Sequence, residues 1–108
     1  MGCENIDTNT KDNEGYTACM VASHYGHSSC VDKLLKAGAD VDANQNKGST
    51  ACMLASQEGH SSCVSMLLAA GADVNAKHSS SFTACMIASQ NGHSDIAEML
   101  VVNGAVRY

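Results

Sequence analysis

Apolar and polar positions alternate along the chain with the spacing of short amphipathic helices. In one cluster the apolar side chains are Cys30, Val31, Leu34 and Leu35. Their i, i+1, i+4, i+5 spacing places them on one stripe of a helix, which predicts a helix over 28–36. The apolar residues that precede this cluster predict a two-turn helix over 18–25. Since neither helix is long enough to be stable alone in water, both must be stabilised by packing.

Start and stop residues flank both predicted helices. Thr17 is a good N-cap, because its hydroxyl can accept an early backbone N–H of the first helix. Gly26 supplies a left-handed residue that ends the first helix, and Gly38 ends the second. Residues 40–46 lack helical periodicity and carry turn formers before Gly48, which predicts a projecting β-turn or hairpin.

Three sequence markers recur with a period of 33 residues. Thr-Ala-Cys-Met begins at positions 17, 50 and 83, and Gly-His-Ser begins at positions 26, 59 and 92. Gly-Ala-Asp-Val begins at positions 38 and 71, with a degenerate copy at 104. Such a period is typical of a stacked array, in which each unit buries its apolar face against its neighbours.

The period divides the chain into one continuous array spanning 1–108, with no second domain. Residues 5–11 match 71–77 at three positions, so the chain opens with the tail of an incomplete unit. The predicted divisions are 1–11 (partial unit), 12–44, 45–77 and 78–108. The predicted fold is an all-α repeat solenoid of antiparallel helix pairs with projecting turns. In the central unit, Leu67 and Leu68 are expected to be fully buried.

Composition supports a tightly packed helical core. The chain is 44% apolar, too hydrophobic for a disordered acidic tail. Fifteen Ala, 6 Met and 6 Cys accompany a single Phe and no Trp, so helices can approach closely. The net charge of −5 argues against a nucleic-acid partner. No 18-residue apolar run or secretory leader is present, so we expect no membrane span and an intracellular, cytoplasmic or nuclear location.

The residues resemble those of ankyrin repeats, which are 33-residue units of a turn and two antiparallel helices with a T-P-L-H-x-A signature. The likeness extends over residues 5–105, and the matching stretches of the first unit are 17–22, 26–27, 34–35 and 38–43. The resemblance implies a non-enzymatic module that binds a protein or peptide through turn tips and a concave helix face. It implies no cofactor, and we expect a monomer.

The units depart from the family signature at the same positions. Ala, Cys and Met replace its Pro, Leu and His, so these units lack the side chain that makes polar links within and between units in the family. Met20, Met53 and Met86 are expected to form an apolar ladder instead. Ser81 stands where the first two units have a turn glycine. If that position needs a positive φ, Ser81 costs about 1 kcal/mol, and the turn before the third unit is expected to be the looser one.

The cysteines are expected to be reduced core thiols. Equivalent cysteines of adjacent units lie one helix layer apart, about 8–10 Å. A disulfide needs Cα atoms within about 7 Å, so the ladder cannot be bridged. Cys19 with Cys30, or Cys52 with Cys63, face one another within a helix pair and remain sterically able to pair.

No metal site or catalytic centre is expected. His27 and His60 each precede a cysteine at metal-like i, i+3 spacing, but Ile96 stands at the cysteine position of the third unit. A structural zinc site needs four convergent ligands. Ser, His and Cys recur with the scaffold, whereas a catalytic site needs residues in different roles.

Two modification motifs have alternative explanations. The Met1–Cys3 start resembles a dual-acylation signal, but Ile6 stands where myristoylation favours Ser or Thr, and a start-site origin is preferred. Asn75 lies at the Val-Asn-Ala position where ankyrin repeats resemble substrates of an asparaginyl hydroxylase. Local hydrogen bonding in the turn is the preferred role for Asn75.

The resemblance places partner contacts at the turn tips and at the two residues before each Gly-His. These positions are Asn13, Glu14, Tyr16, His24 and Tyr25; Asn46, Lys47, Ser49, Gln57 and Glu58; and Ser79, Ser80, Phe82, Gln90 and Asn91. The units differ most here. Tyr16, Tyr25 and Phe82 are predicted to be free of packing duties and to act as binding anchors. The alternative is that these rings cover neighbouring helix ends.

The function predicted from the sequence is therefore a protein-binding module. One alternative is a structural fragment of a larger array whose partner contacts lie elsewhere. Another is a designed or consensus-like scaffold without a partner, since the first two units agree at 22 of 33 positions.

Overall fold

A computed structural model of the chain describes residues 11–104, which form six helices. They are α1 (Ala18–Tyr25), α2 (Ser28–Lys36), α3 (Ala51–Glu58), α4 (Ser61–Ala69), α5 (Ala84–Gln90) and α6 (Ser94–Val102). The described range contains no strand, only an isolated antiparallel bridge between Asn44 and Thr50. The all-α prediction and the predicted bounds of α1 and α2 are confirmed. Within this range no helix has the length and apolarity that a membrane crossing requires.

Each unit begins its first helix with the same cap. The Thr17, Thr50 and Thr83 hydroxyls accept the N–H of the residue three positions later, at 3.2–3.3 Å. Gly26 has φ 77° and ends α1, as predicted. These interactions are local, so the same short sequence forms the same cap in every unit.

The helices stack in two layers, α1, α3 and α5 in one and α2, α4 and α6 in the other. Contacts between successive helices are more extensive in the first layer. Small residues such as Ala51, Ala55 and Ala88 are buried in this layer and permit the close approach. With the turns that project beside it, the first layer forms the concave face of the stack.

The core runs through all three units. Leu34, Leu67 and Leu100 occupy equivalent positions and are buried. Leu68 is only half-buried, so the prediction that both central leucines are fully buried is wrong for Leu68. It lies on the flank of α4 rather than on its inward stripe.

The methionine ladder is confirmed for two of its three members. Met20 and Met53 are buried, whereas Met86 is half-buried. Among the described residues, no further unit packs against the α5 side of the third unit. Met86 therefore keeps one side accessible.

Four cysteines are buried in the core as free thiols: Cys19, Cys52, Cys63 and Cys85. Cys30 is half-buried. Burial raises the pKa of Cys52 to about 11, although the neighbouring Ser56 hydroxyl acts in the opposite direction. These thiols thus behave as small apolar core residues.

Polar links do join the units, although the signature His is absent. The His60 ring, through Nε2, hydrogen-bonds the carbonyl of His24 at 3.1 Å, and His93 bonds the carbonyl of Gln57 at 3.2 Å. The His60 ring lies against Gly26, where a Cβ would be 2.7 Å from Nδ1. His60 and His93 therefore each link their unit to the unit before it.

Backbone bonds connect the projecting turns as well. The Asn46 N–H donates to the Glu14 carbonyl at 3.0 Å, and the Ser79 N–H donates to the Lys47 carbonyl at 2.8 Å. The turns therefore form a continuous row beside the first helices.

Ser81 has φ 70° and is the non-glycine residue with a positive φ in the described range, so the condition on which the predicted strain depends is met. At the equivalent Gly48, a Cβ would lie 3.1 Å from the Ser79 nitrogen of the next turn. No further turn packs against Ser81 within the described residues, so a side chain fits there. The looseness predicted for this turn remains a prediction.

Several predicted features lie outside the described residues. These are the Met1–Cys3 motif with Ile6, nearly all of the partial unit 1–11, and residues 105–108 at the end of the third unit.

Candidate protein-binding groove

One side chain organises each projecting turn. The Asp12 carboxylate accepts the N–H groups of Glu14 and Tyr16, both at 2.9 Å. Asp12, Gln45 and His78 are equivalent positions in the three units. Because their side chains stabilise the turns, the residues at the tips are held in place before any partner arrives.

The other two turns use different chemistry at this position. The Gln45 side-chain oxygen accepts from Lys47 and Ser49 at 2.7 and 3.0 Å. His78 Nδ1 accepts from the Ser80 N–H at 3.1 Å. A carboxylate, an amide and an imidazole thus each accept backbone N–H groups of their own turn, a shared role that the sequence pattern did not reveal.

Between the turns and the first helices lie two adjoining hollows of about 490 and 220 Å³. They share Ser49, Leu54, Gln57 and His78. We call the two together the concave groove. Its full lining is Tyr16, Met20, Val21, His24, Tyr25, Gln45, Lys47, Ser49, Met53, Leu54, Gln57, His78, Phe82, Ile87, Gln90 and Asn91.

An aliphatic row forms the floor of the concave groove. Val21, Leu54 and Ile87 occupy equivalent positions on α1, α3 and α5. Val21 is 44% exposed, whereas Leu54 in the central unit is 8% exposed. The sequence analysis missed this row, although the signal was present: the position after each Thr-Ala-Cys-Met is always aliphatic.

The groove brings together nine of the fifteen predicted contact residues. They are Tyr16, His24, Tyr25, Lys47, Ser49, Gln57, Phe82, Gln90 and Asn91. The other six lie outside its lining and are exposed: Asn13, Glu14, Asn46, Glu58, Ser79 and Ser80. Five of these six lie in the projecting turns, and Glu58 ends α3, so they belong to the rim.

The three predicted aromatic anchors differ in their surroundings. Tyr25 is 64% exposed, and its ring contacts two neighbouring imidazoles, edge-on to His24 at 4.7 Å and stacked with His27 at 6.3 Å. Phe82 is 38% exposed. Tyr16 is half-buried and packs against the core, so the prediction that it has no packing duty is wrong. It lies between the turn and α1, where its ring covers apolar side chains.

Among the described residues, 11–104, the lining contains no carboxylate. Lys47 is the one lysine or arginine of this described lining, and His24 and His78 are its other basic groups. The chain as a whole has 11 Asp and Glu against 6 Lys and Arg, so the groove differs in charge from the protein that surrounds it.

Within residues 11–104 no three His, Cys, Asp or Glu side chains converge as metal ligands would. The His60 ring is engaged by a backbone carbonyl. The Asn75 backbone N–H donates within the turn to the Asp73 carboxylate at 3.0 Å, which agrees with the local role preferred from the sequence, whereas its side-chain amide donates to the Gly104 carbonyl of the next unit at 3.3 Å.

Comparison with known families gives one result. The family model described as ankyrin repeats (3 copies) matches two overlapping stretches, residues 2–78 and 42–107. No curated protein matches the chain.

Proposed function

The chain belongs to the ankyrin-repeat family, and from this premise we propose that its concave groove binds an extended segment of a partner protein. Members of the family are generally protein–protein interaction modules and are typically not enzymes. The proposal extends that general role to one surface of this chain.

The observation that carries the proposal is the continuity of the groove across all three units. An aliphatic floor runs between the turn row on one side and Tyr25 on the other. An apolar floor with a few polar groups around it is the usual composition of a binding site. Because hydrogen bonds hold the turns, little conformational entropy is lost when a partner binds.

Val21 and Tyr25 are the groove residues best suited to a test. Both are exposed large side chains, so their truncation removes contact area without opening a cavity in the core. Tyr25 has the aromatic and amphipathic character of an interface anchor.

The experiment selects binders from a phage-displayed library of random peptides and measures their affinity by fluorescence anisotropy. We expect Val21→Ser with Tyr25→Ala to weaken the selected peptides by at least about 2 kcal/mol. Val102→Ser is the matched control, since Val102 is 83% exposed at the end of α6 and outside the groove. Peptides that bind both variants as tightly as the wild type would refute the groove as the binding site.

A further inference from the structure

The groove has the charge opposite to that of most of the protein. All Asp and Glu residues within 11–104 lie outside the lining, while Lys47 lies within it. Within residues 11–104 Lys47 has no ion-pair partner. Its ammonium group is therefore available to a ligand.

The carboxylates nearest the groove along the chain are already engaged or lie outside the lining. Asp12 accepts two backbone N–H groups in its turn. Glu58 accepts the Gln57 side-chain amide at 3.4 Å. Glu14 lies on the exposed rim and is outside the lining. No carboxylate of the part of the chain that the structure describes thus competes for Lys47 inside the groove.

Other acidic residues lie on elements that do not line the groove. Asp32 on α2 pairs with Lys36 at 3.1 Å, and Asp95 and Glu98 belong to α6. Asp40, Asp42 and Asp73 lie in the loops after the second helices, away from the groove lining. An acidic ligand is therefore repelled by most of the surface and attracted at the groove, which favours specific docking there.

The groove also has a preferred place for an apolar group. Val21 and Leu54 form the floor of the larger hollow, and Lys47 lines the same hollow from the turn row. A ligand side chain on this floor is thus flanked by the ammonium group on the turn side.

Resting on the function proposed above, we propose that the partner segment is acidic. It places one bulky apolar side chain on the Val21–Leu54 floor and a carboxylate opposite Lys47.

The test uses three pools of fluorescein-labelled 12-residue peptides. Each pool has Leu, Phe or Met at position 6, and its four flanking positions are Glu/Asp, Lys/Arg or Ser/Gln. We expect the acidic pool to bind at least about tenfold tighter than the basic pool, because one carboxylate–ammonium pair and the loss of one repulsion each contribute several-fold. About 0.5 M salt should reduce this preference, since the groups are exposed.

Lys47→Glu should abolish or reverse the preference for the acidic pool. Lys36→Glu makes the same charge change on α2, where Lys36 is 76% exposed and outside the groove, and should leave the preference intact. Equal effects of the two variants would indicate net charge alone and would overturn the proposal.

Other outcomes separate this proposal from the function on which it rests. If all pools bind alike, the groove binds peptides but the charge preference is refuted. If only library-selected peptides without carboxylates bind, the acidic partner is likewise refuted while groove binding stands. If neither the pools nor the library yields a groove ligand, the proposed function itself fails.

Discussion

At the residue scale, the hydroxyl groups of Ser23 and Ser56 are the exceptional buried groups. Both side chains are fully buried, and neither hydroxyl has a hydrogen-bond partner among the described residues. The thiols one turn earlier, Cys19 and Cys52, have their pKa values raised by burial and lowered to a smaller extent by these hydroxyls. Because these nearby thiols do not satisfy the hydroxyls, each serine retains its desolvation cost.

Replacing Ser56 by Ala should therefore stabilise the protein. We expect a gain of about 1 kcal/mol in the free energy of unfolding, because an unsatisfied buried hydroxyl is removed. Urea denaturation followed by circular dichroism measures it. Ser89→Ala is the matched control, since Ser89 is the equivalent residue of the third unit and is exposed. A loss of stability in Ser56→Ala would show that the hydroxyl has a partner after all.

The buried thiols make the folded state less stable at alkaline pH, because they ionise more readily in the unfolded chain. The pKa of Cys52 is raised by burial from 9.0 to about 11, so above pH 9.0 the unfolded chain releases this proton while the folded chain retains it. The stability that the protonated Cys52 thiol contributes to the folded state is fully present below pH 9.0 and is lost as the pH rises toward 11. The free energy of unfolding should fall by about 1.4 kcal/mol per pH unit for this group. In urea titrations between pH 8 and 10.5 under reducing conditions, Cys52→Ala should show a shallower fall; an identical slope would contradict this origin.

At the scale of elements, a turn and a helix end show how one unit constrains the next. The turn glycine is needed at position 48 because the following turn crowds it, whereas Ser81 is crowded by nothing within the described residues. The end of α1 is likewise completed by His60 from the next unit. Each element thus depends on a residue about 33 positions away.

Replacing Ser81 by Gly should stabilise the third turn. The free energy gained by relieving the left-handed strain at φ 70° exceeds the cost of the greater conformational entropy that glycine gives the unfolded chain. The net gain in the free energy of unfolding is up to about 1 kcal/mol. Amide hydrogen exchange in residues 78–82 should slow, which also tests the looseness predicted for this turn. Ser80→Gly, where no positive φ is relieved, should bring no gain. Faster exchange in Ser81→Gly would show that the serine supports the turn.

Loss of the His60 ring should destabilise the junction between the first two units. His60→Ala removes a hydrogen bond to the α1 carbonyl and leaves space beside Gly26, for an expected loss of about 1–2 kcal/mol. The equivalent His27 is exposed, so His27→Ala should cost clearly less. The midpoints of thermal unfolding compare the two variants. Equal losses of stability would show that the effect comes from the Gly-His turn and not from the contact between units.

At the scale of the whole molecule, stability comes from stacking. The central unit packs on both sides, α3 between α1 and α5 and α4 between α2 and α6. A continuous core joins all three units. Because about three units are the minimum for such a core, we expect one cooperative unfolding transition of modest stability.

Leu67 tests this cooperativity. Leu67→Ala should cost about 2–5 kcal/mol because the side chain is fully buried in the central unit, and the unfolding transition should stay single while its midpoint falls. The adjacent Leu68 is half-buried, so Leu68→Ala should cost less. Circular dichroism at 222 nm during heating measures both. Two separate transitions in Leu67→Ala would mean that the units fold independently.

The period, the helix bounds and the caps could all be predicted from the amino-acid sequence. Each of these depends on residues three or four positions apart, as between Thr17 and Met20. The resemblance to ankyrin repeats also pointed to nine of the residues that line the groove, at positions where the units differ.

How the units meet depends on packing between helices and could not be predicted from the sequence. The continuous floor, the burial of Tyr16 and the bond from His60 to His24 require residues from different helices to approach one another. Their positions depend on how closely the two layers pack, and the closer packing of the first layer creates the concave side. Local sequence specifies each helix, whereas the spacing between helices results from many side chains in contact. The groove forms only when the helices pack against one another, because its lining comes from several of them.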